Sequence, residues 1–371
     1  MSDKNIKNVL LLQNAVCHTN TTYQGVYVGH SINFLEIPTD SKVQFIDVRS
    51  PVEFAQGHIP GAINIPLFED EERAEIGTIY KQVGKDQAFQ LGTKIALPKV
   101  DSLLAAIKDL LPAQLIIYCW RGGKRSTEVC RLVNESGTPA KRILGGYKGY
   151  RREIRRIIEN PRKLLMLGGK TGSGKTALLH GLQTQGIQVI DLEGLAHHKG
   201  SVFGHINEKP QPTTEQFENN FFKQLLKTNP EETLVLENES YVIGSVHLPP
   251  PLLLQMRAAP LLIIDLPLKA RINRLVKDYT STNRQELIDA CHRIAKKLTE
   301  PKLQKVTELL EEGNFEKACE ILLGYYDHYY NRGLENRKNQ EISYLALNGL
   351  DLDTDVAELA QIIKNISCTS N

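Results

Sequence analysis

The segment Gly169-Lys170-Thr171-Gly172-Ser173-Gly174-Lys175-Thr176 constrains this chain more than any other stretch. A glycine, four residues and then Gly-Lys-Thr is the spacing of a loop whose backbone N–H groups wrap phosphate oxygens. Such a loop works only between a buried strand and the first turn of a helix. Both flanks are there: the apolar run Lys163-Leu164-Leu165-Met166-Leu167 precedes it, and Ala177-Leu178-Leu179-His180-Gly181-Leu182 follows. Gly169, Gly172, Ser173 and Gly174 keep the loop slim enough for its amides to reach a phosphate. Lys175 neutralises the anion, and Thr176 stands where a magnesium ion would be bound.

That loop makes the second half of the chain α/β. Residues 189–193, 233–237 and 261–265 read as further buried strands, giving a P-loop, nucleotide-kinase-like domain over 163–267. Asp191, Glu193 and Glu237 then fall at strand ends on one rim beside the loop. Glu237 would either orient magnesium or water there or be a satisfied edge carboxylate. His197, His198 and Lys199 follow Asp191 and are candidates for substrate phosphates or base edges, against an ordinary solvated loop. Residues 268–371 read as a mostly helical C-terminal region. Within it, Arg271 and Arg274 start a helix as phosphate-sensing or surface-paired arginines, and 300–323 reads as a helical pair broken at Gly313-Asn314.

The first half carries its own site. Val43-Gln44-Phe45-Ile46-Asp47-Val48-Arg49 reads as a buried strand, Ser50-Pro51-Val52-Glu53-Phe54 as the start of a short helix, and Leu115-Ile116-Ile117-Tyr118 as a strand running straight into Cys119. A helix over 126–135 and a strand over 142–144 complete a second alternation, hence a parallel sheet with its site at the strand C-termini. Cys119 therefore heads the loop Trp120-Arg121-Gly122-Gly123-Lys124-Arg125-Ser126 at a helix N-terminus, where amides, helix dipole and three cations favour a reactive thiolate.

At 371 residues, two domains of ordinary size are the expectation. No apolar stretch approaches the roughly 20 residues of a membrane helix, and Met1-Ser2-Asp3-Lys4-Asn5 lacks a secretory pattern, so a cytoplasmic protein with no membrane partner is expected. The six cysteines show no CxxC spacing, so neither a zinc site nor a disulfide framework is suggested. No residue set is assigned to a resident metal. Net charge is only +2, yet Lys141 to Lys163 holds nine basic residues against Glu153 and Glu159, a local +7. Its helical spacing, ended by Asn160-Pro161, marks a basic linker helix over 146–162. Arg151, Arg152, Arg155 and Arg156 there are either a polyanion site or a solvated face.

Asp47-Val48-Arg49-Ser50-Pro51-Val52-Glu53-Phe54, Gly57-His58-Ile59-Pro60-Gly61-Ala62 and the Cys119 loop resemble the successive signatures of a rhodanese domain, here over 40–145. The resemblance implies a chalcogen carried on Cys119, with Asp47 and Arg49 as scaffold and Cys130 as core. A second, narrower likeness is carried by four groups of residues. They are Asp191 through Gly204, Glu237-Asn238-Glu239-Ser240, Gly145-Gly146-Tyr147-Lys148-Gly149-Tyr150-Arg151, and Tyr325-Tyr326-Asp327-His328-Tyr329-Tyr330. With Cys119-Trp120-Arg121-Gly122-Gly123 they are similar to the tRNA 2-selenouridine synthase family. Asn238 departs from the family's usual aspartate, and residues 1–39, with Cys17, are an extension without a counterpart.

This likeness implies a transferase acting on tRNA with 2-thiouridine at the wobble position. The sulfur would first be alkylated from geranyl diphosphate and then replaced by selenium from selenophosphate, with Cys119 as selenium acceptor. No tightly bound cofactor is implied; magnesium is an optional companion of the phosphate loop, and a selenophosphate-supplying enzyme is a candidate partner. The loop at 169–176 would cradle the diphosphate, and apolar stretches such as Leu252-Leu253-Leu254 are either tail-lining or ordinary core. The tyrosine cluster would either stack an unpaired base or pack a helix. The alternative is a rhodanese-linked P-loop nucleotide kinase or ATPase.

Overall fold

The computed structural model describes residues 31–37, 42–111, 113–335, 337 and 340–369. The chain forms two compact units, divided between Arg155 and Arg156. Cys17 and most of the 1–39 extension lie outside the described residues.

The first unit is built on a five-stranded, wholly parallel sheet of β1 (Ser31–Ile32), β2 (Val43–Asp47), β3 (Ile63–Asn64), β4 (Gln114–Tyr118) and β5 (Ala140–Ile143), in the order β1-β5-β4-β2-β3. The central strand β4 is an apolar run because helices cover both of its faces; Leu115, Ile116, Ile117 and Tyr118 are all fully buried. Helix Pro51–Gln56 starts with proline at its first turn, and Glu53 reaches back to the Ser50 N–H at 3.2 Å. Helices Asp70–Gln82, Lys85–Ala96 and Val100–Lys108 bridge β3 to β4. Phe68, Leu103 and Ile107 close the core over Ile46, Ile117, Val129 and Val133.

Two boundaries differ from the sequence expectation of 40–145. Ser31–Ile32 is already an edge strand paired with β5. Helix Gly146–Glu159 opens inside this unit rather than as a free linker: Tyr147 and Tyr150 are buried, and Phe34 meets the Tyr150 ring at 4.6 Å. Aromatic faces on its first turns explain why.

The second unit holds another wholly parallel five-stranded sheet. Its strands are β6 (Leu164–Gly169), β7 (Gln188–Ile190) and β8 (Leu234–Glu237), then, after a small hairpin of β9 (Val242–Ile243) and β10 (Val246–His247), β11 (Leu261–Asp265) and β12 (Ile342–Ala346). The order is β12-β11-β6-β8-β7, with β6 in the centre and buried along its whole length. Register places Leu167 opposite Glu237 and Gly169 opposite Ile264, so the phosphate loop leaves from the middle of the C-terminal rim. Helices Lys175–Thr184 and Leu352–Thr369 pack on one face through Leu178, Leu179, Leu182 and Leu359. The region after 268 is mostly helical as expected, but Ile342–Ala346 returns to the sheet beside β11. A separate apolar cluster, including Leu287, Cys291, Val306, Leu310 and Ala318, joins helices Arg284–Arg293, Glu300–Glu311 and Phe315–Glu335.

Candidate active sites

In the first unit, register sets Asp47 beside Tyr118, and Cys119 follows at the strand end. Its side chain is 3% exposed, with Sγ 3.2 Å from Ser126 Oγ and 3.9 Å from the Gly123 carbonyl. The sulfur thus lies inside the first turn of helix Lys124–Glu135, which begins after Gly123. Three contacts hold the loop from behind: the N–H groups of Tyr147 and Lys148 donate to the carbonyls of Cys119 and Trp120 at 2.9 and 2.8 Å, and Arg142 Nη1 donates to the Gly122 carbonyl at 2.6 Å. Gly146 makes the close approach, at φ +57, with room for no Cβ. These supports were not found from sequence, although Gly145-Gly146-Tyr147-Lys148 stood out there as a motif.

Arg49 is 1% exposed, forked onto Asp47 at 2.6 Å, bonded to the Gly57 carbonyl at 2.6 Å and 4.1 Å from the centre of the Tyr147 ring. Asp47 and Arg49 are therefore scaffold behind the loop, and the Asp47–Arg49 pair locks the turn at Gly57 to β2. Of the three cations expected around the thiol, Arg125 is engaged by Glu53 at 2.6 Å, whereas Arg121 and Lys124 are exposed, as is Trp120 at 37%. Cys130 is buried, 3.5 Å from the Ala140 carbonyl, and burial pushes its thiol up to about 11, the behaviour of an inert core cysteine.

On helix Gly146–Glu159 the arginines divide. Arg152, Arg155 and Arg156 are exposed, but Arg151 is 7% exposed and is not presented with them. A helix with tyrosines and isoleucines on its inner face carries whichever basic side chain falls on that face inward.

In the second unit the phosphate loop has its expected form. Gly172 and Gly174 take φ +81 and +78, and helix Lys175–Thr184 follows. Lys175 Nζ donates to the Gly169 carbonyl at 3.1 Å, so the cation arches back across the loop. Ser173 is 1% exposed, and its Oγ has no hydrogen-bond partner among the described residues.

The acidic rim is rearranged. β7 stops at Ile190, and Glu193 lies in the short helix Leu192–Ala196 rather than at a strand end. Asp191 caps that helix, accepting from the Gly194 N–H at 2.6 Å, and its other oxygen meets His180 Nε2 at 2.9 Å. It nevertheless stays beside the rim, close enough to raise both Glu193 and Glu237 electrostatically. A run of Val-Ile-Asp-Leu looks like continued strand until the aspartate's capping role is seen. Glu193 stays, its Oε2 3.5 Å from the Thr176 hydroxyl, and its N–H donates to Glu237 Oε2 at 2.9 Å. Glu237 is fully buried, and its Oε1 has no hydrogen-bond partner among the described residues. Glu239 completes the group: both it and Glu193 lie against Gly200. Burial and the neighbouring Glu239 push Glu193 up to about 7, and burial together with Glu193 raises Glu237. Asn238 faces elsewhere, accepting from Arg337 Nη1 at 2.6 Å.

The remaining candidates separate by contact. Arg271 is 2% exposed, forked onto Asp327 at 2.7 and 2.9 Å, and donates to the Thr171 carbonyl at 2.9 Å; it braces the loop and is not a surface or phosphate arginine. Arg274 lies directly over Gly174, with Nη1 3.4 Å from the Gly172 carbonyl, and is placed to meet a phosphate. Lys199 pairs with Glu208 at 3.3 Å, and His197 with the Pro210 carbonyl at 2.8 Å. His198 is half-buried and packs against Gly204, and burial lowers its pKa. Tyr330 lies against Gly168 and Tyr325 against Tyr329, which fits helix packing better than base stacking. Leu252 is core and Leu254 is 72% exposed, so that segment is no tail site. Among the described residues no group of three or more His, Cys, Asp or Glu is arranged to hold a metal by itself.

Comparison with known proteins agrees with this two-part layout. The sequence model of the tRNA 2-selenouridine synthase AAA domain matches residues 162–346, and that of the rhodanese-like domain matches 33–153. The tRNA 2-selenouridine synthase of Nitrosomonas europaea is 35% identical over 79% of this chain and 89% of its own length. That of Shewanella loihica is 37% identical over 83% and 79%, and that of Hydrogenovibrio crunogenus 34% identical over 80% and 90%.

Proposed function

The chain belongs to the tRNA 2-selenouridine synthase family, and from that premise we propose that it acts on tRNA bearing wobble 2-thiouridine, replacing the sulfur by selenium through an S-geranyl intermediate. The observation that carries the reading is an intact pair of sites in one chain: a cysteine inside the head of a helix, and a phosphate loop with its lysine, threonine and buried carboxylate in place.

In the first step the loop holds the diphosphate of geranyl diphosphate. The thiouridine sulfur attacks C1 of the geranyl group, the C1–O bond breaks, diphosphate leaves with the bonding pair, and the base gives up its N3 proton. Lys175, Arg274 and the loop amides face the charge that builds on the leaving group. Magnesium fits here as an optional partner: Thr176 and Glu193 would hold it with hard oxygen donors, beside Glu237 Oε1, which has no hydrogen-bond partner among the described residues, and when bound it would neutralise diphosphate.

In the second step Cys119 meets selenophosphate, whose phosphoryl group suits the helix head. Selenium stands at the selenide level both in selenophosphate and in the product, so the exchange needs no redox partner. Resting it on Cys119 as an S–Se bond, the role the family likeness first implies, would oxidise it by two electrons that must later be returned. The balanced route has Sγ attack phosphorus. The P–Se bond breaks and selenide leaves with the pair. It then adds to C2, geranylthiol departs, and water clears phosphate from the sulfur.

The exposed arginines at 152, 155 and 156 are the candidate tRNA contacts, and their share of affinity should fall with salt. No helix among the described residues is long and apolar enough to cross a membrane, and the reading places the enzyme in the cytoplasm beside a supplier of selenophosphate.

The test is nucleoside mass spectrometry of thiolated tRNA incubated with geranyl diphosphate and then selenophosphate. Cys119→Ser should geranylate but not selenate; Lys175→Ala should lose geranylation. Steady ATP turnover indifferent to both substrates, with no change in the nucleoside, would replace this reading with a nucleotide kinase or ATPase.

A further inference from the structure

The corner where three C-terminal helices meet carries a charge imbalance that neither site explains. From His292 to Lys305, the cations Arg293, Lys296, Lys297, Lys302 and Lys305 stand against Glu300 alone, a local +4. They fall at the end of helix Arg284–Arg293, in the short helix Ala295–Leu298 and in the first turns of helix Glu300–Glu311. All five are exposed, while Ile294, Leu298, Leu303 and Val306 between them are buried in the apolar cluster beneath. Lys305 pairs with Glu308 at 3.2 Å. Arg293, Lys296, Lys297 and Lys302 have no carboxylate within ion-pair distance among the described residues.

Two contacts tie this corner to the phosphate-loop site. Arg293 Nη1 lies 3.4 Å from Nδ1 of His205, in the segment whose Gly200 packs against the Glu193 and Glu239 carboxylates. Lys297 Nζ lies 5.7 Å from the centre of the Tyr329 ring, and the next residue, Tyr330, packs against Gly168 at the foot of the loop. The turn between the helices is itself forced: Thr299, a β-branched residue, takes φ +72, and such strain gathers where a surface binds something. Cations grouped without counter-charges repel one another and favour an external polyanion. A membrane surface would need an apolar face beside them, and that face is buried here. Resting on the reading that the chain acts on tRNA, we propose that Arg293, Lys296 and Lys297, flanked by Lys302, are a second tRNA contact, binding backbone phosphates of the RNA whose base enters the phosphate-loop site. Contacts of this kind fix where the RNA sits without reading its sequence.

The test is the tRNA affinity of the full chain across a salt series, by filter binding, with steady-state geranylation on the same preparations. Arg293→Gln, Lys296→Gln and Lys297→Gln combined change only exposed side chains, so the fold should survive. Each lost phosphate contact should lower the slope of log Kd against log salt by about 1, so the triple variant should lose ~2–3 from the slope and bind at least ~10-fold more weakly at low salt. KM for tRNA should rise with it, while kcat and the Kd for inorganic diphosphate keep their wild-type values. Lys81→Gln, Lys85→Gln and Lys94→Gln combined remove the same net charge from exposed positions of the first unit and should leave slope and affinity near wild type. Equal losses in the two triple variants would reduce the effect to net charge and overturn the patch. Wild-type slope and affinity in the Arg293 triple variant would overturn it too, leaving the corner to an acidic protein. A wild-type chain that binds no tRNA would instead bring down the tRNA reading itself, and the patch with it.

Discussion

Gly146→Ala should separate the two chemical steps. The residue sits at φ +57, and a Cβ built there would lie 2.3 Å from both the Cys119 carbonyl oxygen and the Gly122 nitrogen. Ordinary carbon–oxygen approach is about 3.3 Å, so the cysteine loop has to retreat by roughly 1 Å. The left-handed backbone costs a non-glycine residue about 1 kcal/mol. Straining the bonds from Tyr147 and Lys148 adds about 1 kcal/mol each, for a total near 2–3 kcal/mol. That is a fraction of a domain's stability, and the protein should remain folded. A reacting group displaced by about 1 Å commonly loses around 100-fold in rate. Two single-turnover assays on one preparation decide the matter: selenouridine formed from S-geranylated tRNA, and geranylation of thiolated tRNA, both read by mass spectrometry. Selenium insertion should fall by about 100-fold with geranylation unchanged. Wild-type selenation, or loss of both steps in parallel, would refute the assignment of Gly146 as the support of the cysteine loop.

The buried carboxylates make a pH prediction. Glu193 is raised from an ordinary carboxylate to about 7, so between pH 4.5 and 7 the folded state binds a proton that the unfolded chain has released, and stability falls as pH rises through that window. Glu193→Gln should flatten the decline and gain on the order of 3 kcal/mol at pH 8 in urea unfolding, from about 2.5 pKa units at ~1.36 kcal/mol each. Parallel pH profiles for variant and wild type would contradict it. Arg271→Lys should cost about 3 kcal/mol by breaking the fork to Asp327, and should weaken diphosphate binding although Arg271 touches no ligand. Unchanged diphosphate affinity in a destabilised variant would show that bracing of Thr171 is not needed for binding.

Much of this was legible in the sequence where a signal is local. β2, β4, β6, β8 and β11 are short apolar runs with turn residues behind them, and Cys119 and Lys175 sit in contiguous motifs at strand ends. What escaped depends on contacts distant along the chain. Asp327 meets Arg271 across 56 positions, and Arg337 meets Asn238 across 99. The capping role of Asp191 escaped because a capping aspartate and a rim aspartate look alike until the Gly194 amide is seen to bind it. β12 escaped because its edge position leaves only Leu345 buried, so its apolar signal is thin.

The turn at Gly145-Gly146 has a consequence for how this chain can be cut. A fragment ending at 145 would keep every strand of the first sheet and the cysteine itself, yet lack the two amides that hold Cys119 and Trp120. Such a fragment would look complete in a strand diagram and would carry an unsupported loop. The smallest heritable module that can be shuffled, transplanted or expressed with a working thiol therefore includes the first turns of the basic helix, so recombination has its natural joint within that helix, after Tyr150, and not at the glycines.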